Sequence, residues 1–197
     1  NVKNINFVIT GGLGQVGLKL CEYLEQNGSK IVIFDLYDQK KLKILKRKHL
    51  FLNSENVKIL SVDISKKNKI KNSLNKTLNF LKQINVLVNL AAVDANNKGE
   101  FDKKINFHDF PYKIIKKSID INLLGTLNVS QIFCNYFIKN NIAGNIINVA
   151  SVYSLVAPNI TLYNNTISNS FNTNKPIDYV ISKSSIPNLT KYIATNY

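Results

Sequence analysis

Methionine and tryptophan are missing from this 197-residue chain, and arginine occurs once, at Arg47. There are 2 cysteines, 2 histidines, 4 prolines and 8 glycines, and 12 acidic residues stand against 26 basic ones. Each scarcity narrows the chemistry. Cys21 and Cys134 lie far apart within helical patterns, so they read as small buried apolar residues rather than a disulfide or redox pair. His49 and His108 have no metal-ligand spacing around them, so no metal site is expected. No apolar run approaches the ~20 residues of a membrane span, so no membrane contact is expected either. The chain opens on Asn1 and a strand-like stretch, without initiator Met or signal-peptide pattern, and is read as a fragment or trimmed chain.

What is abundant is lysine and asparagine. The net charge is +14 and the chain holds 30 asparagines, a bias that points to composition as readily as to a polyanionic partner. The densest basic run, "KKLKILKRKH" at 40–49, fits a helix with Leu42 and Leu45 inward and its lysines solvated. Arginine forks and aromatic platforms are absent there, so no nucleic-acid partner is expected.

Five near-continuous apolar runs punctuate the chain: "INFVIT" (5–10), "KIVIFD" (30–35), "VKILSV" (57–62), "NVLVNL" (85–90) and "NIINVA" (145–150). Such runs suit parallel strands covered on both faces. Helical patterns fall near 14–27, 38–50, 66–83, 112–141 and 177–195, the first with Val16, Leu20 and Leu24 as its inward face. Regular strand–helix alternation without repeat or linker predicts one α/β domain over 1–197, a doubly wound parallel sheet of the Rossmann type.

The glycines are not scattered. Gly11, Gly12, Gly14 and Gly17 fall within seven residues of "FVITGGLGQVGLKL", after the first strand and at the opening of the first helix. In that context a glycine loop binds a dinucleotide pyrophosphate. Gly11 permits the tight turn, Gly14 lets backbone N–H groups approach the phosphates, and Gly17 allows close helix packing. The helix N-terminus adds about half a positive charge. Leu13, Gln15 and Val16 complete the expected cofactor contacts in this loop. Asp35 ends the second strand, where an acid can accept hydrogen bonds from a ribose and would repel the extra phosphate of NADP. NAD is therefore expected in preference to NADP.

A Tyr four residues before a Lys puts both on one helix face. The composition alone produces about one such pair, and the chain has three: Tyr37/Lys41, Tyr112/Lys116 and Tyr179/Lys183. Spacing does not choose among them. Only the third follows a strand whose end carries a serine, Ser151, at the edge where open α/β sheets place their ligands. A free tyrosine titrates near ~10. A nearby ammonium and a cationic nicotinamide favour the phenolate, so Tyr179 is expected to take the hydroxyl proton in oxidation and return it in reduction.

The ordered set "TGGLGQVG", "VDI" (62–64), "NLAA" (89–92), "IDINLLGT" (119–126), "NVASVYS" (148–154) and "YVISK" resembles the short-chain dehydrogenase/reductase (SDR) family from residue 5 to the chain end. The resemblance implies a catalytic tetrad of Asn122, Ser151, Tyr179 and Lys183. Ser151 would hold the reacting oxygen, Lys183 would also bind the nicotinamide ribose, and Asn122 would place a water in the proton path. Asp63 and Ile64 would flank the adenine, and Asn89 and Ala91 would line the cofactor ribose. A small-molecule substrate, a cytoplasmic location and a homo-oligomer, dimer or tetramer, in the full-length protein are further expectations.

Three features depart from the family's short members: a G-x-x-G-x-x-G spacing found in extended members that mostly act on nucleotide sugars, a longer interval between Ser151 and Tyr179, and Ala92 in place of Gly. The looser resemblance is to short-type oxidoreductases of surface-sugar or flagellin-glycan biosynthesis. Asn159, Thr161, Asn164, Asn165, Thr166 and Ser168 offer groups suited to sugar hydroxyls. A sugar or sugar-phosphate oxidoreductase is the leading expectation. A nucleotide-sugar epimerase or dehydratase with tightly bound NAD is the alternative, and a non-catalytic dinucleotide sensor a third. The chain stops inside the Tyr179 helix pattern, where family members continue with further strands and a substrate helix. The fifth strand should then form a sheet edge, with Ile181, Ile186, Leu189 and Ile193 losing cover.

Overall fold

The structure is a computed structural model, which describes residues 2–94, 107–159 and 176–197. Two compact units make up the chain: Asn1–Ala91 with Gly125–Val149, and Ala92–Leu124 with Ala150–Tyr197.

The first unit is built on a parallel sheet of β1 (Asn6–Thr10), β2 (Lys30–Asp35), β3 (Val57–Ser61), β4 (Val86–Asn89) and β5 (Asn145–Asn148) in the order β3-β2-β1-β4-β5. Helices α1 (Gln15–Gln26), α2 (Gln39–Lys48) and α3 (Lys67–Leu81) connect the first four strands, and α5 (Thr126–Lys139) precedes β5. This is the Rossmann-type α/β sheet that the alternation of apolar runs predicts. Side chains alternate across a strand, yet Ile31, Val32, Ile33 and Phe34 of β2 are all fully buried, so both faces of the sheet are covered there. Ile31 and Ile33 pack with Leu18, Cys21 and Leu24 of α1. Phe34 meets Phe133 of α5 edge-on, with ring centroids 6.5 Å apart. The strand order reverses between β1 and β4, which puts the switch point beside the Gly11–Gly17 loop. β5 lies at one edge of the sheet with Ile147 exposed.

The inward face of α1 differs from the sequence expectation. Val16 is 68% exposed, and the buried positions are Gly17, Leu18, Cys21 and Leu24. Gly17 fixes this rotation, because its missing side chain lets the helix backbone rest on the loop. The basic run at 40–49 behaves as the sequence suggests. Leu42 is buried and Leu45 packs on the core. Asp38 caps the helix by accepting from the Lys41 N–H at 2.7 Å. Lys46, Arg47 and Lys48 occupy the last turn, where the helix dipole favours cations.

The second unit contains α4 (Tyr112–Ser118), all but the last residue of a π-helical segment at Ile119–Gly125, a short turn at Val152–Ser154, α6 (Ile177–Ser184) and α7 (Ile186–Asn196). The single helix expected over 177–195 breaks at Ser185. Pro187 has no N–H to offer the carbonyl four residues earlier and clashes with it. That carbonyl, Lys183 O, instead accepts a hydrogen bond from Ser154 Oγ at 2.9 Å. Of the apolar residues on this pair of helices, Ile186 is buried, Ile181 is exposed, and Leu189 and Ile193 are half-buried.

Candidate active site

The glycine loop of the first unit is a tightly packed turn. Gly11 sits at φ +71°, and a Cβ there would lie 2.6 Å from Ala91 Cα. A Cβ on Gly17 would lie 2.4 Å from Gly11 O and 2.7 Å from Gly12 Cα. Gly14 is different: it is exposed, has an ordinary φ of −75°, and its nearest neighbour, Gly11 O, would be 3.3 Å away. Gln15 and Val16 follow, also exposed, at the N-terminus of α1. Leu13 is buried, and its N–H donates to Asp35 Oδ2 at 2.8 Å. The Leu36 N–H donates to Asp35 Oδ1 at 2.7 Å. Asp35 thus ties the loop to the end of β2. Partial burial pushes its carboxyl above the usual range, while the two backbone donors pull the other way.

The remaining expected cofactor residues of this unit are placed as follows. Asp63 Oδ1 accepts from the Ser65 N–H at 2.9 Å and from Ser65 Oγ at 2.7 Å, closing a turn after β3, and Ile64 beside it is buried. Thr10 Oγ1 accepts from the N–H groups of Leu90 and Ala91 at 3.1 and 3.2 Å, joining the ends of β1 and β4. The Asn89 side chain is buried, its amide donating to Ser130 Oγ at 3.0 Å and to Asn148 Oδ1 at 2.8 Å. That amide therefore braces β4 against β5 and α5. Cys21 lies under the loop, and burial, then the charge of Asp35, pushes its thiol up to about 12, so it is a packing residue. No cluster of metal-ligating side chains occurs among the described residues, and no described helix is long and apolar enough to cross a membrane.

All four tetrad positions belong to the second unit. Ser151, extended at φ −146°, accepts from the Tyr153 N–H through Oγ at 3.2 Å, which leaves the hydroxyl hydrogen to donate elsewhere. Asn122 is completely buried in the π segment, a helical distortion common at functional sites. Its Oδ1 accepts from the Val93 N–H, while Nδ2 donates to Val93 O and to Ser182 Oγ, all at 2.8 Å. Both amide hydrogens are committed, so a water held by Asn122 would meet its oxygen or its backbone. Tyr179 is half-buried, one turn before Lys183 on α6. Of the residues suggested for a sugar-binding loop, Asn159 is exposed, and Thr161, Asn164, Asn165, Thr166 and Ser168 lie outside the described residues. Sequence reasoning passed over Val93 and Ser182, since a backbone partner leaves no side-chain signature and serine is common in this chain.

Lys183 is 3% exposed, and burial pushes its ammonium down from the ordinary 10.5 to about 8. Below pH 8 folded and unfolded chains are both protonated here, and the folded state carries the full cost of the buried charge. Between about 8 and 10.5 the unfolded chain binds more protons, so this residue makes stability rise with pH across that window. At pH 7 the difference corresponds to about 3 kcal/mol. Lys183→Met is therefore expected to raise the melting temperature at pH 7 and to flatten the rise between pH 8 and 10. Equal melting of variant and parent at both pH values would contradict a buried ammonium at this position.

A family profile described as short chain dehydrogenase matches residues 6–166. Over 193 residues the chain is 26% identical to the post-translational flagellin modification protein A of Campylobacter coli, covering 98% of this chain and 71% of that protein. It is 24% identical over 197 residues to the NAD-dependent glycerol dehydrogenase of Listeria innocua, covering 100% of this chain and 66% of that one. Among solved structures, a short chain dehydrogenase from Leptospira borgpetersenii with bound NAD+ superposes with a TM-score of 0.72 at 22% identity, over 98% of this chain and 65% of that chain. The chain thus spans roughly two thirds of the length of these three proteins. With the profile matched over most of its length and the same fold in a solved member, the chain belongs to the short chain dehydrogenase family.

Proposed function

We propose that the chain is the cofactor-binding and catalytic portion of an NAD-dependent oxidoreductase acting on a hydroxyl or carbonyl carbon of a sugar or sugar phosphate. The observation that supports this reading is that Asn122, Ser151, Tyr179 and Lys183 all belong to the second unit, with Asn122 bonded to Ser182 beside the buried Lys183. The first unit fits a dinucleotide. The N-terminus of α1 has neither a side-chain cap nor an acid in its first turn, leaving outward N–H groups to a phosphate, and the exposed Gly14 has no Cβ to obstruct it. The name of the glycerol dehydrogenase relative supports a polyhydroxylated substrate.

When bound, the nicotinamide accepts or supplies the hydride. The protein handles the proton and the oxygen. In oxidation the substrate O–H bond breaks toward Tyr179 Oη while the carbon loses hydride, leaving a carbonyl; reduction reverses both transfers. Ser151 Oγ–H donates to the reacting oxygen, and Lys183, one turn along the same helix as Tyr179, would hold the nicotinamide ribose. Release of NADH from NAD in the presence of a sugar or polyol, followed by absorbance, tests the reading. Conversion without net NADH would favour the epimerase or dehydratase alternative that the glycine spacing suggests.

NAD is the proposed partner in preference to NADP, because Asp35 presents a carboxylate at the end of β2. Asp35→Ala removes both that acceptor and the Leu13 tether, so NAD binding is expected to weaken by roughly tenfold or more and the preference to relax. Titration of parent and variant with both cofactors checks this, and equal parental affinities would refute it.

A further inference from the structure

Ser118 and Asp178 stand outside the tetrad, yet they pair across the helices that carry it. Ser118 Oγ donates to Asp178 Oδ2 at 2.5 Å, and both residues are buried, Asp178 completely. One turn further along each helix, Asn122 donates to Ser182 Oγ at 2.8 Å. Ser118 and Asn122 share one helix face, and Asp178 and Ser182 share the facing one, each four residues apart. The two contacts are therefore successive rungs between the Asn122 helix and α6. Asp178 immediately precedes Tyr179, and Ser182 immediately precedes Lys183. Ser182 Oγ also donates to Tyr179 O at 3.0 Å.

Asp178 is an expensive way to hold two helices together. Its Oδ1 is buried without a hydrogen-bond partner among the described residues. Burial pushes the carboxyl above its usual range and the charge of Asp94 adds to that, while the Ser118 hydroxyl and the backbone N–H groups of Tyr179 and Asp178 oppose it. An apolar pair of the same volume would hold the helices at less cost. What an apolar pair lacks is direction. A hydrogen bond between two buried side chains fixes helix rotation and register, and with them the phenolic oxygen at the end of the Tyr179 side chain.

We propose that Ser118 and Asp178 are positioning residues for Tyr179, their rung setting the rotation of α6 and hence the place of the phenol. The proposal rests on the catalytic reading of Tyr179 above. A misplacement of ~1 Å at such a group costs on the order of a hundredfold in rate.

The test compares parent, Ser118→Ala, Ser118→Thr, Asp178→Asn and the apolar double variant Ser118→Ala/Asp178→Leu. Melting temperature, kcat, KM for NAD and the 13Cζ resonance of Tyr179 are measured in each. Ser118→Ala and the double variant are expected to lose about ten- to a hundredfold in kcat with KM for NAD within about twofold of parent. Ser118→Thr, which keeps the hydroxyl, should restore kcat. The Tyr179 resonance should move in the first two and return in the third. A double variant that melts at or above the parent temperature keeps the result interpretable if Ser118→Ala or Asp178→Asn folds poorly. Parental kcat and an unmoved Tyr179 resonance in a well-folded double variant would overturn the proposal. So would a fall in kcat matched by a rise in KM for NAD, which marks general loosening. Tyr179→Phe runs alongside: if it stays active, the catalytic reading fails by itself, and the resonance alone decides the rung.

Discussion

Tyr179→Phe should lose about 10²–10⁴-fold in turnover while binding NAD nearly as the parent does, because only the proposed proton carrier is removed. The residue is half-buried on α6, and the aromatic ring that packs there is retained in Phe. Lys183→Met should lose turnover as well, and unlike Tyr179→Phe it should also weaken cofactor binding if the ammonium meets the ribose. The decisive controls are the two other Tyr/Lys pairs. Tyr112 is exposed at the start of α4, and Tyr37 packs against the core of the first unit. Tyr37→Phe and Tyr112→Phe should therefore turn over at parental rates. Steady-state assays for NADH, with cofactor titrations on the same preparations, separate loss of chemistry from loss of binding. An active Tyr179→Phe beside a dead control would move the catalytic centre elsewhere.

The sheet was legible because its strands are nearly uninterrupted apolar runs, and β2, covered on both faces, begins and ends where its run does. The orientation of α1 was not. A periodic reading counts apolar side chains, so it chose Val16, whereas the helix is seated by Gly17, which has no side chain to count. The break at Ser185 was written in Pro187, but the apolar spacing runs on through it and masks the missing N–H. The Tyr/Lys pair is ambiguous by spacing, and in the sequence only Ser151 at the end of the fifth apolar run favours the third pair. The family resemblance puts Asn89 at the cofactor ribose, and the folded chain adds what no resemblance carries, that its amide also bonds Ser130 of α5 and Asn148 of β5. The Ser118–Asp178 rung was invisible, since two polar residues 60 positions apart leave no periodic trace.

Two alanine substitutions should separate what the glycine loop does for folding from what it does for cofactor. Gly17→Ala would drive a Cβ to 2.4 Å from Gly11 O and 2.7 Å from Gly12 Cα. These are backbone atoms, so no flexible side chain can yield, and α1 must lift off the loop or the loop must distort. Overpacking of this kind costs about 1–3 kcal/mol, a large share of the ~5–15 kcal/mol that holds a domain. Melting should fall by several degrees, and cofactor affinity with it. Gly14→Ala meets only Gly11 O at 3.3 Å, and its φ of −75° suits any residue. Alanine is a poorer N-cap than glycine by about 1 kcal/mol or less, so melting should fall less than in Gly17→Ala. The new methyl group would nevertheless stand on the exposed side of the loop, where the pyrophosphate is proposed to approach the helix N-terminus. Cofactor affinity should drop about tenfold or more in a protein that is otherwise intact, the loss of one close phosphate contact being worth ~1.5–3 kcal/mol. Differential scanning fluorimetry and NAD titration on both variants distinguish the two roles. If Gly14→Ala binds NAD like the parent while Gly17→Ala melts early, the loop is a structural turn, and the cofactor must be held elsewhere.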